Sequence, residues 1–216
     1  MTEQEGSKEV FKRAIYRSGL LLTTISFCFI VENLLDMNWF WMGVKPRELV
    51  GLLGIVTSPF KHHDLGHLLN NLLLLGILSV GLFLHVPLKK PFLKILTISL
   101  IANGWLWIGG RDAWHYGASG VVYGLFFYLL VLAIKRKQKE LYLFILSCLM
   151  LSLGFFVGLF PVDVTVSFEG HLFGGLAGIL VALTEKMRKD KKPVSSNVTF
   201  SRNATFKYQY RDDEAK

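Results

Sequence analysis

Six long apolar runs dominate the sequence and constrain its fold more than any other feature. Each run approaches the ~20 residues that a helix needs to cross the hydrocarbon core of a bilayer. The chain is 52% hydrophobic and only 19% charged, which is too apolar for a soluble domain of 216 residues. We therefore predict an all-α membrane protein, a bundle of six transmembrane helices over residues 18–35, 65–86, 91–108, 116–134, 141–160 and 167–183.

The polar stretches between and around these runs divide the chain into three parts. We predict an amino-terminal segment over residues 1–17, a six-helix domain over 18–184 and a basic, disordered tail over 185–216. The connection over 36–64 is the longest, and it carries Trp39 and Trp41. Indole rings favour the membrane–water interface, so we expect this first outer loop to be interfacial.

The basic residues predict the orientation of the bundle. Of the 24 Lys and Arg residues, 20 lie in the amino-terminal segment, the second-to-third and fourth-to-fifth connections and the tail, leaving Lys45, Arg47, Lys61 and Arg111 on the other side. The positive-inside rule then predicts that both termini are cytoplasmic, most simply at the cell membrane. The net charge of +8 follows the connections rather than a motif. We therefore expect membrane lipids, not nucleic acid, as its partners.

Three polar residues lie near the starts of alternate runs. His67 belongs to the second run, Ser119 to the fourth and His171 to the sixth. Because consecutive spans cross the bilayer in opposite directions, the starts of all even-numbered spans lie at one face, here the outer one. The sequence therefore predicts that a serine and two imidazoles meet at a common depth.

Glycines predict close packing of the fourth and sixth spans. Each span carries a GxxxG pair, of the kind that lets helices approach closely: Gly120 and Gly124, and Gly174 and Gly178. His171 lies on the same helical stripe as the second pair. Such packing predicts a hydrogen bond between the Ser119 hydroxyl and the His171 imidazole, which is the arrangement of a nucleophile activated by a general base.

Acyl transfer also needs hydrogen-bond donors aimed at the developing oxyanion. His67 and Asn71 are four residues apart and therefore share a helix face, and the backbone N–H of Ser119 is a third donor. Tyr123, one turn after Ser119, is expected to stack on His171. No carboxylate is placed to complete a triad, so the sequence predicts a Ser-His dyad.

Four motifs in order resemble the rhomboid intramembrane serine proteases. They are His67-x-x-x-Asn71, the Gly-Ala-Ser-Gly of 117–120, Tyr123, and His171-x-x-Gly174-x-x-x-Gly178, and they cover residues 65–183. The resemblance implies that Ser119 is the nucleophile, His171 the base, His67 and Asn71 the oxyanion donors, and Tyr123 and the glycines, including Gly117, the groups that shape the site. It also implies that His62 lies near a water-filled entrance. A further implication is a lateral opening beside the fifth span, capped by the fifth-to-sixth connection.

The implied function is a serine endopeptidase that cleaves transmembrane protein substrates near the outer membrane face, with no cofactor or metal. Water is expected to reach the site along His62, His63, His115 and Asn71. Two alternatives are left open. One is a zinc protease that uses the i, i+4 pair of His63 and His67 with Asp163, although Asp64 stands where that motif needs Glu. The other is a non-catalytic rhomboid-like protein that binds transmembrane clients.

Overall fold

The structure, a computed structural model, consists of helices joined by loops in the residues it describes, which are 3–86, 90–151, 154–163 and 165–185. Its helices are α1 (Glu3–Leu34), α2 (Gly54–Thr57), α3 (Leu65–His85), α4 (Pro91–Gly109), α5 (Ser119–Arg136), α6 (Lys139–Leu151) and α7 (Phe168–Thr184). The predicted tail, apart from residue 185, lies outside the described residues. Single turns of 3-10 helix occur at Phe40–Met42, Leu49–Gly51, Ser58–Phe60 and Val157–Leu159.

Each of the six apolar runs contains a helix, and the predicted all-α membrane fold is confirmed. Four of the helices, α1, α3, α4 and α5, are long and apolar enough to cross a bilayer, and α7 is slightly shorter at 17 residues. A helix satisfies its own backbone hydrogen bonds, which is what the membrane interior requires. The protein is therefore an integral membrane protein.

Two predicted boundaries are wrong. The first helix begins at Glu3 and not at 18, so much of the predicted amino-terminal segment is helical. The fifth span was expected to run to 160, but α6 is described only to Leu151, and residues 154–160 form a turn and a short 3-10 helix. Within residues 154–160 the carbonyls of Phe155 and Gly158 accept hydrogen bonds from side chains of other helices.

Helix α5 lies at the centre of the bundle and packs against α3, α4, α6 and α7. Four of its side chains are almost completely buried, at Leu125, Tyr128, Leu129 and Leu132. Their spacing of three, four and seven residues marks one continuous buried stripe. Because α5 contacts four other helices, it is the element that sets their positions.

The carboxyl ends of α3, α5 and α7 meet at one end of the bundle. There Lys135 of α5 donates to the carbonyls of Ala182 and Leu183 in α7, at 2.9 and 3.0 Å. Arg136 donates to the carbonyl of His85 in α3 at 2.8 Å. These cations satisfy carbonyls that have no partner within their helices and oppose the negative ends of the helix dipoles. The amino ends of the same three helices consequently meet at the opposite end.

The connection over residues 36–64 is anchored to the α4–α5 connection. Val44 and His115 exchange two backbone hydrogen bonds, at 3.0 and 2.9 Å. The Trp107 indole donates to the carbonyl of Glu48, and Arg47 donates to the carbonyl of Gly110. The same connection exposes apolar side chains, at Leu49, Leu52, Leu53 and Val56, as expected of a segment at a membrane interface.

Candidate active site

The backbone before Ser119 is held in one conformation. Gly117 has a φ of +107°, a value that side chains other than hydrogen rarely tolerate. Its N–H donates to the carbonyl of Ser58 at 2.9 Å, and the next N–H, that of Ala118, donates to Nε2 of His62 at 3.4 Å. Helix α5 then begins at Ser119, so the N–H of Ser119 is one of the first that no carbonyl of the same helix can accept.

The predicted glycine packing between α5 and α7 is confirmed. A β-carbon added at Gly124 would lie 3.1 Å from the carbonyl oxygen of Gly174. One added at Gly174 would collide with the backbone of Gly120, and one at Gly178 with the backbone of Gly124. The two backbones therefore touch, because neither helix has side chains along this seam.

Tyr123 and His171 form the predicted ring stack. Their ring centroids are 4.3 Å apart with an interplanar angle of 15°. On its other face the Tyr123 ring stacks on Phe155, at 4.0 Å and 17°. The Tyr123 hydroxyl donates to the carbonyl of Phe155 at 2.5 Å. The imidazole is thus the outer member of a stack of three rings, and its tilt is fixed.

His171 is only 9% exposed, and its Nδ1 lies 2.7 Å from the carbonyl oxygen of Gly158. A carbonyl oxygen can only accept, so Nδ1 carries the hydrogen. In the neutral imidazole Nε2 is then the unprotonated nitrogen, free to accept a proton. Gly158 could not be predicted as the partner of His171, since a glycine in an apolar run gives no sign that its carbonyl meets a histidine.

The hydrogen bond predicted between Ser119 and His171 is not formed in this structure. Across the described residues the Ser119 hydroxyl has no hydrogen-bond partner. Ser119 instead lines a cavity of about 10 Å³ together with Ser58, His115, Tyr116 and Ser167. That volume is close to the minimum for one water molecule, and the lining is polar enough to hold it.

His67 and Asn71 lie beside the backbone that leads into Ser119. A β-carbon added at Gly117 would be 2.7 Å from Nε2 of His67 and 3.6 Å from Nδ2 of Asn71. One amide hydrogen of Asn71 is donated to the carbonyl of His67, at 3.0 Å, and the second is not committed to that bond. Both predicted oxyanion donors therefore face the Gly117–Ser119 turn.

His62 does not lie in an open entrance, contrary to the expectation. Its side chain is only 1% exposed and accepts the hydrogen bond from Ala118 described above. Its ring meets that of His67 edge to face, with centroids 5.1 Å apart. Burial, followed by the effect of His67, lowers the pKa of His62 to about 4, so the ring is neutral and able to accept at physiological pH.

The other residues of the expected water path separate into two groups. His115 lines the cavity, and its Nδ1 lies 2.6 Å from the Ser167 hydroxyl at the amino end of α7. Burial lowers the pKa of His115 below its usual value. His63 is instead exposed on the surface beside Asp64. The structure therefore places His115 on the cavity, His62 in the interior and His63 on the surface. The water path itself stays a prediction.

The zinc alternative has no ligand set in the part of the chain that the structure describes. Within residues 3–86, 90–151, 154–163 and 165–185, no three His, Cys, Asp or Glu side chains are close enough to share a metal ion. Asp163 accepts hydrogen bonds from the backbone and the hydroxyl of Thr165, and Asp64 caps α3 by accepting from the N–H of His67 at 2.8 Å.

Comparison with known proteins identifies the family. The family model for the rhomboid domain matches residues 50–188, which include all of α3 to α7. The chain is 30% identical over 179 residues to an uncharacterized protein of Mycobacterium tuberculosis strain H37Rv, with 75% of this chain and 72% of the relative covered. It is 29% identical over 182 residues to an uncharacterized protein of Mycobacterium leprae, with 75% and 68% covered. The chain therefore belongs to the rhomboid family.

Proposed function

We propose that this rhomboid protein is an intramembrane serine endopeptidase, with Ser119 as nucleophile and His171 as general base. The observation that carries the proposal is the glycine contact between α5 and α7. It brings the helix that begins at Ser119 against the helix that holds His171, so that Tyr123 of the first stacks on the imidazole of the second.

The reaction follows from the groups around the Gly117–Ser119 turn. Ser119 Oγ attacks the carbonyl carbon of the scissile peptide bond while its proton passes to Nε2 of His171. The tetrahedral intermediate collapses, and the leaving amine takes that proton. A water molecule, activated by the same imidazole, then hydrolyses the acyl ester and regenerates Ser119.

The oxyanion of the intermediate needs donors that are already in place. The side chains of His67 and Asn71 and the N–H of Ser119 surround the turn and fit this role. Donors fixed before the reaction are worth several kcal/mol, because removal of one such donor costs about 10²–10³ in kcat. No metal or cofactor is required by this chemistry.

The substrates are proposed to be transmembrane proteins, cut near the outer face. The site lies close to the amino ends of α3, α5 and α7, within one or two turns of the helix starts, which corresponds to a depth of about 8 Å. Helical backbone has its carbonyls tied in hydrogen bonds, so a substrate must unwind locally, and Gly or Ala near the scissile bond favours unwinding.

The test uses purified protein in liposomes with a transmembrane peptide substrate. Wild type is compared with Ser119→Ala and His171→Ala, each with and without a chelator. We expect cleavage by wild type alone, at a rate that the chelator does not change. A fluorophosphonate probe, which reacts with activated serines, is expected to label wild type and not Ser119→Ala.

A second function, binding of transmembrane clients without cleavage, is favoured by one observation. The Ser119 hydroxyl makes no hydrogen bond to His171 in this structure. Catalytic hydrogen bonds are often long in the absence of substrate and tighten when substrate binds, so we retain the protease as the proposal. Client binding with no cleavage and no probe labelling would instead support the binding function, and chelator-sensitive cleavage by Ser119→Ala would support a metalloprotease.

A further inference from the structure

Residues 155–158 touch the candidate site at three points. The Phe155 ring covers one face of Tyr123, the Phe155 carbonyl accepts the Tyr123 hydroxyl, and the Gly158 carbonyl lies 2.7 Å from Nδ1 of His171. This segment follows α6 and is not part of the helices that carry the dyad and the oxyanion donors. A separate piece of chain therefore completes the environment of the base.

The contact between the Gly158 carbonyl and Nδ1 of His171 addresses a chemical problem of a Ser-His dyad. A neutral imidazole has one N–H, and it can accept a proton from serine only if that hydrogen is on the nitrogen that faces away. Ser-His-Asp enzymes solve this with a carboxylate, and loss of that control costs about 10⁴-fold in kcat. The nearest carboxylate in sequence, Glu169, is directed toward Arg111, with Oε2 3.7 Å from its guanidinium.

We propose that the backbone carbonyl of Gly158 takes the place of that carboxylate: it selects the Nδ1–H tautomer of His171 and orients Nε2 toward Ser119. Gly158 is thus a positioning residue, and residues 155–158 must be docked against Tyr123 for the base to work. This inference rests on the proposed serine protease function, because only a base needs its tautomer selected.

Glycine at 158 is required by the same geometry. A β-carbon at this position would collide with the Tyr123 hydroxyl and would lie 2.9 Å from Nδ1 of His171. Gly154, just before these residues, has no atom of the described part of the chain within 4 Å of an added β-carbon. Neither glycine has a positive φ among the described residues, so alanine strains neither backbone, and the pair is a matched test.

The first experiment compares Gly158→Ala with Gly154→Ala. In Gly158→Ala we expect kcat for a transmembrane peptide, and the rate of fluorophosphonate labelling, to fall at least tenfold, with KM changed by less than about threefold. In Gly154→Ala we expect both rates within twofold of wild type. Wild-type rates in Gly158→Ala, or a change in KM alone, would overturn the proposal.

The second experiment reads the tautomer without any turnover. Protein labelled with ¹⁵N-histidine in liposomes is studied by solid-state NMR near pH 8, and the His171 signals are assigned by their loss in His171→Gln. We expect a protonated Nδ1 and an unprotonated Nε2 in wild type, and a mixture of both tautomers in Gly158→Ala. A wild-type ring protonated on Nε2 would contradict the proposal even if Gly158→Ala is inactive.

The two proposals fail in different ways. If wild type neither cleaves nor reacts with the probe, the protease function fails, whatever the NMR spectrum. If wild type is active through Ser119 but its His171 carries the hydrogen on Nε2, the protease function stands and the role of Gly158 fails.

Discussion

At the scale of single residues, the least expected feature is a buried neutral histidine beneath the turn that leads into Ser119. His62 accepts the N–H of Ala118, the residue immediately before Ser119. A buried N–H without an acceptor costs about 1–3 kcal/mol, so this imidazole stabilises the turn that presents the hydroxyl. It does so only while it is unprotonated, which ties the geometry of the turn to pH.

Acidification is therefore expected to destabilise the protein partly through His62. The pKa of an unfolded histidine is ~6.5, and that of folded His62 is about 4. Between these pH values the unfolded chain binds a proton at His62 that the folded chain excludes. The contribution of neutral His62 to the free energy of unfolding is therefore fully present above pH ~6.5 and declines as the pH falls toward 4. The full effect is about 3 kcal/mol.

The measurement is the free energy of unfolding in mixed micelles between pH 7 and 4.5, for wild type and for His62→Gln. We expect wild-type stability to fall more steeply over this range than that of the variant, because glutamine does not titrate. Other histidines contribute equally to both curves and cancel in the comparison. Parallel curves would show that the pKa of His62 is the same in the folded and the unfolded protein.

At the scale of elements, the seam between α5 and α7 determines whether a site exists. The helices touch backbone to backbone through Gly120, Gly124, Gly174 and Gly178. Separation of their axes by even 1 Å would draw His171 away from the helix that carries Ser119, and misplacement of that size costs about 10²-fold in rate. Stability and activity are therefore linked through the same contact.

We predict that Gly178→Ala lowers both stability and probe labelling. The added β-carbon would collide with the backbone of Gly124, and overpacking of this kind costs about 1–3 kcal/mol. The matched control is Gly104→Ala in α4, where an added β-carbon would have no atom of the described residues within 4 Å. Alanine is the better helix former by about 1 kcal/mol, so the control is expected to be neutral or slightly more stable.

Unfolding in mixed micelles and the rate of fluorophosphonate labelling test this pair. We expect labelling by Gly178→Ala to fall about tenfold or more, while Gly104→Ala remains like wild type. If both variants behave alike, the seam does not control the site.

At the scale of the whole molecule, charge differs between the two ends of the bundle. At the active-site end, Lys61 is paired with buried Glu32 at 2.6 Å and Lys45 with Asp112 at 2.5 Å. At the other end lie the amino-terminal part of α1 and the cations around the carboxyl ends of α3, α5 and α7. The positive-inside rule therefore predicts that the candidate active site opens to the outer side.

Labelling of single cysteines tests this orientation. In a background that carries Cys28→Ser and Cys148→Ser, one cysteine is introduced at exposed His63, near the site, or at exposed Glu140, near the start of α6. We expect a membrane-impermeant maleimide to label His63→Cys in intact cells and Glu140→Cys only after lysis. The opposite pattern would reverse the topology.

Much of the fold was predictable because its causes act along the chain. The apolar runs became helices, and the alternation of their directions brought the helix starts that bear His67, Ser119 and His171 to the same end. Periodicity also predicted the Tyr123 stack, since Tyr123 lies one turn from Ser119. The end of α6 was not predictable, because the apolar run continues through residues 154–160, whereas carbonyls there bond to side chains of other helices.

The sequence alone determined that this chain is a membrane bundle and which glycines form its closest helix contact, because hydropathy, length and helical period depend only on the order of residues. Only the tertiary structure decided how the His171 imidazole is oriented and how the turn before Ser119 is supported. Those roles belong to the Gly158 carbonyl and to buried His62. Every residue has a carbonyl, and no pattern in the chain indicates which one will meet an imidazole from another helix.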